Sequence, residues 1–239
     1  SYAKLLSVSV IDFFERTTQA MAVQADAGRA VAMRAYLRDQ FPFLGLPSPV
    51  RKTVVREQVS LYGRPSAADG AELARLCFSD GQPREVQYLF GDLFIPQAHQ
   101  LPLDWLPLID ELITTLSWWD TVDWLAPHLA GKLLLRHPDQ MKPFTETWVS
   151  STNRWQQRSA LIFQLHYRHA TRPDLLFPYV LRTRHSTEFF VQKGAGWALR
   201  QYSKIAPESV ADFLRQYELP ALTAREGGKW LRAHGGWLE

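Results

Sequence analysis

The chain has 239 residues, 46% of them hydrophobic, and a net charge of only +3, which suits one substantial core or an elongated array of repeats. Its single cysteine, Cys77, excludes an internal disulfide and a cysteine-based metal cluster. No stretch approaches the roughly 18 uncharged apolar residues of a membrane span, and the first residues lack the apolar core of a signal peptide, so we expect a soluble cytoplasmic protein.

Helices are predicted along the whole chain. Apolar residues recur at intervals of three and four, as in Trp105, Ile109, Leu112 and Leu116. The period-2 alternation that is typical of strands is absent over any useful length. The sequence therefore predicts an all-α fold.

The predicted helix starts are evenly spaced. Prolines favour the first turn of a helix, and they fall at Pro102, Pro138, Pro173 and Pro207. A possible N-cap follows each proline, and these caps are Ser117, Asn153, Ser186 and Thr223, the last with Glu226 three residues later as in a capping box. Helical hairpins of about 35 residues are typical of solenoids. We therefore predict a single repeat domain over residues 1–239 with a concave binding face.

One segment, Ser-Trp-Trp-Asp-Thr-Val-Asp at residues 117–123, carries more information than its neighbours. Ser117 and Asp120 have the spacing of a capping box, which predicts a helix from Trp118. Asp123 lies in the second turn and has no capping duty, while Trp119 lies four residues earlier on the same face. We expect Asp123 to be an unpaired carboxylate beside an aromatic ring, an arrangement that suits a cationic, sugar-bearing ligand. An ion pair on this carboxylate, or a position turned away from the concave face, would count against its use for such a ligand.

Positive charge gathers in the second part of the chain, since residues 151–239 hold 13 Lys and Arg against 7 Asp and Glu. Within it, Lys193, Trp197, Arg200 and Lys204 recur at four, three and four, which predicts a basic stripe around an indole. Such a stripe is either a solvated face or a contact for phosphate and sugar. Gly194 and Gly196 interrupt the same helix, and either close helix packing or close backbone approach explains them.

Two further candidates lie near the start of another helix. Trp155 and Arg158 are three residues apart, so Arg158 could hold a phosphate, or pair with a carboxylate while Trp155 packs inward. His166 and His169 could share a metal, but no third ligand is apparent, and we expect no metal site. Walker and dinucleotide fingerprints are absent, and no cofactor is expected.

Several segments resemble the AlkD-like family of DNA alkylation repair glycosylases in order and spacing. They are Phe43-Leu44-Gly45, the 117–123 segment, Asn153-Arg154-Trp155-Gln156-Gln157-Arg158, Phe163-Gln164-Leu165, Glu188-Phe189-Phe190-Val191-Gln192-Lys193 and Gly196-Trp197-Ala198-Leu199-Arg200. The resemblance covers roughly residues 30–230. The family often has Gln-Thr-Pro after Phe-Leu-Gly, where this chain has Pro47-Ser48-Pro49, so contacts with DNA from this region are not carried over.

The resemblance implies a right-handed superhelix of HEAT-like αα-hairpins that excises N3- and N7-alkylated purines from double-stranded DNA without a metal. Its catalytic positions fall on Trp119, Asp123 and Trp197, and a DNA contact falls on Arg158. We add Trp155, Lys193, Arg200 and Lys204 as DNA-binding candidates.

Two other functions stay open from the sequence. The chain could be a paralogue that binds distorted DNA without chemistry, or a helical scaffold that binds a protein through its Trp-rich groove. Neither the preferred adduct nor the oligomeric state follows from the sequence.

Overall fold

The computed structural model describes residues 8–238, and every regular element in that range is a helix. The predicted all-α fold is therefore confirmed for this part of the chain. The chain divides into two compact units, Ser1–Pro102 and Leu103–Glu239, at a place where no boundary was expected. The single domain over 1–239 and the right-handed superhelix stay predictions. Among the described helices, none is both long and apolar enough to cross a membrane.

In the first unit α3 and α4 pack against α5, whose apolar residues Leu89, Phe90, Leu93 and Phe94 are fully buried. The helices of this unit are α1 (Val10–Val23), α2 (Ala27–Tyr36), α3 (Ser48–Tyr62), α4 (Gly70–Cys77) and α5 (Arg84–Phe94). Cys77 is fully buried at the end of α4, and burial raises the pKa of its thiol, so it is a core residue.

The segment at residues 43–46 is held by one buried carboxylate. Glu85, in the first turn of α5, accepts hydrogen bonds from the backbone N–H groups of Leu44 at 2.9 Å, Gly45 at 2.7 Å and Leu46 at 3.0 Å. Gly45 has a φ of +91°, and a Cβ there would come within 2.0 Å of a backbone oxygen. The Phe-Leu-Gly pattern therefore has a structural explanation within the first unit.

The second unit contains the site candidates. Its helices are α6 (Trp105–Ile113), α7 (Trp119–Trp124), a π-helical segment (Leu125–Ala130), α8 (Gly131–Arg136), α9 (Pro138–Val149), α10 (Arg154–Ile162), α11 (Pro173–Thr183), α12 (Phe189–Ser203), α13 (Pro207–Gln216), α14 (Ala221–Gly227) and α15 (Lys229–Ala233). Within this unit α12 packs against α10 and α14.

Three of the four evenly spaced prolines are the first residue of a helix. Pro138, Pro173 and Pro207 are the first residues of α9, α11 and α13, where the missing N–H has no helical partner to lose. Pro102 lies near a helix start but outside the helix, because α6 begins three residues later at Trp105.

The N-cap predictions are mostly wrong. Asn153 does cap α10, since its side-chain oxygen accepts from the N–H groups of Trp155 and Gln156. Ser186 lies before the actual N-cap of α12, and Thr223 lies inside α14, where its hydroxyl donates to the carbonyl of Gln192. Short polar side chains satisfy nearby backbone groups in several ways, and capping is only one of them.

A widened turn joins α7 to α8, and Pro127 lies in this π-helical segment. Proline has no N–H and clashes with the preceding turn of a regular α-helix, and π-helical turns are frequent at functional sites. At Gly131, the first residue of α8, a Cβ would come within 2.1 Å of the Phe163 carbonyl oxygen, so the start of α8 lies close to the end of α10.

Candidate functional site

The start of α7 differs from the sequence prediction. The helix begins at Trp119 and its N-cap is Trp118, which has an extended backbone and no side-chain cap. Ser117 instead donates its hydroxyl hydrogen to the carbonyl oxygen of Ile113 at 2.6 Å. The capping box of Ser117 and Asp120 is therefore wrong, although Asp123 still falls on the second turn with Trp119 four residues before it.

Asp123 is not an unpaired carboxylate, and that expectation is wrong. Arg158, in α10, donates from Nε to Oδ1 of Asp123 at 2.9 Å and from Nη2 to Oδ2 at 3.0 Å. The ion pair is bidentate, with 4% of the Arg158 side chain and 19% of the Asp123 side chain exposed. Burial raises the pKa of the Asp123 carboxyl, and the Arg158 guanidinium offsets part of that rise.

Arg158 also connects this carboxylate to α12. Its Nη1 donates to the carbonyl of Phe190 at 2.7 Å, and its guanidinium carbon lies 5.7 Å from the centre of the Trp197 ring. Gly194 leaves room for it, because a Cβ there would come within 3.2 Å of Nη1. Helices α7, α10 and α12 therefore bring Asp123 and Trp197 to one guanidinium. The spacing of residues along each helix could not predict this arrangement.

Arg158 does not have the environment predicted for a phosphate ligand. It is 3% exposed and its donors face Asp123 and a backbone carbonyl, whereas a phosphate contact requires access. Carboxylate pairing, the other interpretation left open by the sequence, is the one observed. Its role in this structure is to hold Asp123.

Trp155 packs inward, so the prediction that it contacts DNA is wrong. It is 4% exposed, and its ring centre lies 5.7 Å from that of Trp118 and 5.1 Å from that of Phe190. The three rings form a packed wall next to the ion pair. The indole N–H of Trp118 is buried without a hydrogen-bond partner in this wall. Trp119 is half-buried on the neighbouring turn.

The basic stripe of α12 is partly neutralised. Glu226, in α14, lies 3.5 Å from Nζ of Lys193 and 3.5 Å from Nη1 of Arg200. Glu226 is thus a counter-ion rather than the capping partner of Thr223, and its role could not be inferred from spacing. Lys204 at the end of the stripe is exposed and outside this cluster.

The glycines of α12 have a packing explanation. A Cβ at Gly196 would lie 2.7 Å from Cβ of Glu226 and 3.1 Å from the carbonyl oxygen of Thr223, so Gly196 permits close contact with α14. Of the described residues, no three metal-ligating side chains are grouped, and His166 stacks on His128 with ring centres 4.7 Å apart. The weak metal interpretation of His166 and His169 gains no support.

Two comparisons with known proteins point to the same family. A sequence model described as "DNA alkylation repair enzyme" matches residues 17–231. The chain is similar to a solved structure described as "Predicted DNA alkylation repair enzyme from Enterococcus faecalis", with 29% identity and a TM-score of 0.79 over 87% of this chain and 96% of the other. No curated protein matches significantly. The resemblance seen in the sequence is confirmed at the level of the family.

Proposed function

Since the chain belongs to the DNA alkylation repair enzyme family, we propose that it hydrolyses the N-glycosidic bond of N3- and N7-alkylated purines in double-stranded DNA. This reaction would initiate base excision repair. The observation that carries the proposal is a partly exposed carboxylate, Asp123, held by a guanidinium that also lies over the Trp197 ring.

The chemistry of the substrate explains why a carboxylate is suitable. Alkylation at N3 or N7 gives the purine a positive charge and makes it a good leaving group. As the bond from C1′ to nitrogen lengthens, the deoxyribose gains oxocarbenium character, and a nearby carboxylate stabilises that cation and orients the attacking water. Because the leaving group is already activated, the reaction needs no general acid, metal or cofactor.

The ion pair shapes how Asp123 would act. Each of its oxygens accepts one hydrogen bond from Arg158, so each retains a further lone pair for water or for the sugar. The guanidinium favours the ionised carboxylate against the effect of burial and fixes its orientation. Arg158 is therefore a positioning residue, and the electrostatic stabilisation of the sugar comes from the exposed edge of Asp123.

Aromatic and basic side chains complete the proposed site. Trp119 and Trp197 are half-buried, so each could pack against the sugar and backbone and exclude bulk water. Lys193, Arg200 and Lys204 would contact phosphates. The proposed partner is thus double-stranded DNA, and the proposed place of action is the cytoplasm.

A second candidate is a family member that binds alkylated or distorted DNA without cleaving it. The observation that favours it is again the ion pair, because the positive charge of Arg158 reduces the field that Asp123 exerts on a sugar cation.

Asp123→Asn separates the two functions. The wild type should release 7-methylguanine or 3-methyladenine from methylated duplex DNA, measured by chromatography of the free base. Asp123→Asn should abolish release and largely keep DNA affinity, while the matched control Asp120→Asn, in the same helix, should retain activity. Full activity of Asp123→Asn would remove this carboxylate from the mechanism, and no release by the wild type would favour the binding function.

A further inference from the structure

A basic cavity of about 450 Å³ lies at the carboxyl ends of α10 and α12. Four basic side chains line it: His166, Arg168 and His169 from the segment after α10, and Lys204 from the end of α12. All four are exposed on the surface of the second unit. Three of them stand out in the sequence, His166 and His169 as a histidine pair without a third metal ligand and Lys204 as a DNA-binding candidate, and the proposed function uses only Lys204.

The cavity differs from the stripe next to it in having no counter-ion. Lys193 and Arg200 share Glu226, whereas no carboxylate lines the cavity and, within residues 8–238, no salt bridge involves Arg168 or Lys204. Two cations that face one hollow without a carboxylate repel each other, and an anion would relieve that repulsion.

The other lining groups suit a phosphate oxygen. Gln201 brings an amide that can donate, while Leu165 and Ile205 add apolar surface that limits access of water. Partial desolvation lowers the pKa of the His166 imidazole, and the charge of Lys132 adds to this effect, which favours the neutral ring with an N–H to donate. Arg168 provides a planar fork and Lys204 a point charge, the two common phosphate ligands.

The cavity and the Asp123 site share one face of α12. Trp197, Gln201 and Lys204 are separated by four and three residues, which places them on one face of the helix. At about 1.5 Å of rise per residue, Lys204 lies roughly 10 Å from Trp197 along the axis. One strand of B-DNA rises about 3.4 Å per nucleotide, so for a duplex that runs along α12 this distance corresponds to about three nucleotides.

We propose that this cavity receives a backbone phosphate of the DNA, about three nucleotides from the nucleotide whose sugar faces Asp123. The proposal rests on the proposed function for its register, but it concerns binding rather than cleavage. The cavity would set how the duplex is aligned relative to Asp123, since contacts with phosphate fix register without reading sequence.

A methylphosphonate scan tests this assignment. A duplex carries one stable abasic-site analogue to fix the register, and single neutral methylphosphonates replace the phosphates on each strand in turn. With wild-type protein, one position about three nucleotides from the analogue should weaken binding about fivefold. In Lys204→Ala the same replacement should have no further effect, while the other positions behave as in the wild type. Arg168→Ala should lose sensitivity at the same position.

Lys229→Ala is the matched control, because Lys229 is exposed on α15 and does not line the cavity. It should give the wild-type scan. The proposal is overturned if Lys204→Ala and Arg168→Ala keep the wild-type scan, or weaken binding at every position equally. Saturable binding of inorganic phosphate by the wild type, without any sensitive DNA position, would identify a site for free phosphate and also overturn it.

Failure of the proposed function gives a different result. If the wild type releases no base but shows a sensitive position that depends on Lys204, the phosphate site is supported and the glycosylase activity is not. If it releases base but shows no such position, the glycosylase activity is supported and the phosphate site is not.

Discussion

At the scale of single residues, Arg158 determines the state of the candidate site. It is almost fully buried, holds both oxygens of Asp123, and has its guanidinium over Trp197. A carboxylate that is transferred from water into a protein tends to take up a proton unless a positive charge compensates it. Arg158 supplies that charge, and Gly194 supplies the space for it.

The rate of base release should therefore depend on pH through Asp123. Burial raises the pKa of its carboxyl, so we expect release to fall with decreasing pH at a value above the ordinary aspartate pKa of about 3.9. In Arg158→Lys one charge remains but the bidentate contact is lost, so this decline should move to higher pH. Single-turnover rates on duplex DNA with 7-methylguanine, corrected for spontaneous loss of the base, measure both profiles. Superimposable profiles would mean that Arg158 does not control the protonation of Asp123.

Gly194→Ala should damage activity more than stability. Alanine gains about 1 kcal/mol of helix propensity over glycine, but its Cβ would press on Nη1 of Arg158 at 3.2 Å. The guanidinium has to move to relieve this contact, so we expect at least a tenfold slower release with a melting temperature close to that of the wild type. Gly196→Ala is the contrasting variant, since its Cβ would meet Glu226 at 2.7 Å and should lower the melting temperature. Equal effects of both variants on activity would argue against a specific role for Gly194.

At the scale of elements, the sequence predicts individual helices better than their contacts. Pro138, Pro173 and Pro207 start helices because a missing N–H is tolerated only in a first turn. Ser186 and Thr223 were predicted as N-caps and are not, because their hydroxyl groups bond to other backbone groups nearby. Cap residues therefore locate helix boundaries only when the competing backbone groups are known.

The candidate site was predictable in its members but not in its pairing. Asp123, Arg158 and Trp197 each stand out in the sequence, yet Asp123 and Arg158 lie 35 positions apart on different helices. Periodicity places a side chain on one face of its own helix and does not give the rotation of that helix against the next. For the same reason the sequence did not predict that Glu226, in α14, lies next to the basic residues of α12.

Glu226 is the shared counter-ion of two basic residues of α12, and we predict that it lowers the affinity for DNA. Its carboxylate lies near Lys193 and Arg200, which would otherwise be available to phosphates. Glu226→Gln keeps the size of the side chain and removes the charge, so we expect tighter binding of unmodified duplex at low salt by several fold. Fluorescence anisotropy measures this affinity, and Glu208→Gln, exposed at the start of α13, is a control. Unchanged affinity would show that the two cations do not contact DNA.

At the scale of the whole molecule, charge is distributed unevenly along the chain. Residues 1–150 hold 14 Lys and Arg against 17 Asp and Glu, whereas residues 151–239 hold 13 against 7. The net charge of +3 conceals this difference. Binding of a polyanion depends on local rather than total charge, so the chain can be nearly neutral and still bind DNA through its second part.

Affinity for duplex DNA should therefore fall steeply with salt. Lys193, Arg200 and the cavity that Arg168 and Lys204 share would neutralise about three phosphates, and each phosphate contributes about −0.9 to the slope of log Kobs against log salt concentration, which gives roughly −2.7. Titrations in KCl with one unmodified duplex measure this slope. Lys204→Ala should reduce its magnitude by about 0.9, because one counterion fewer is released, whereas Lys229→Ala should leave it unchanged. A scaffold that binds a protein through aromatic contacts would show little dependence on salt and no difference between the two variants, and that result would contradict DNA as the ligand.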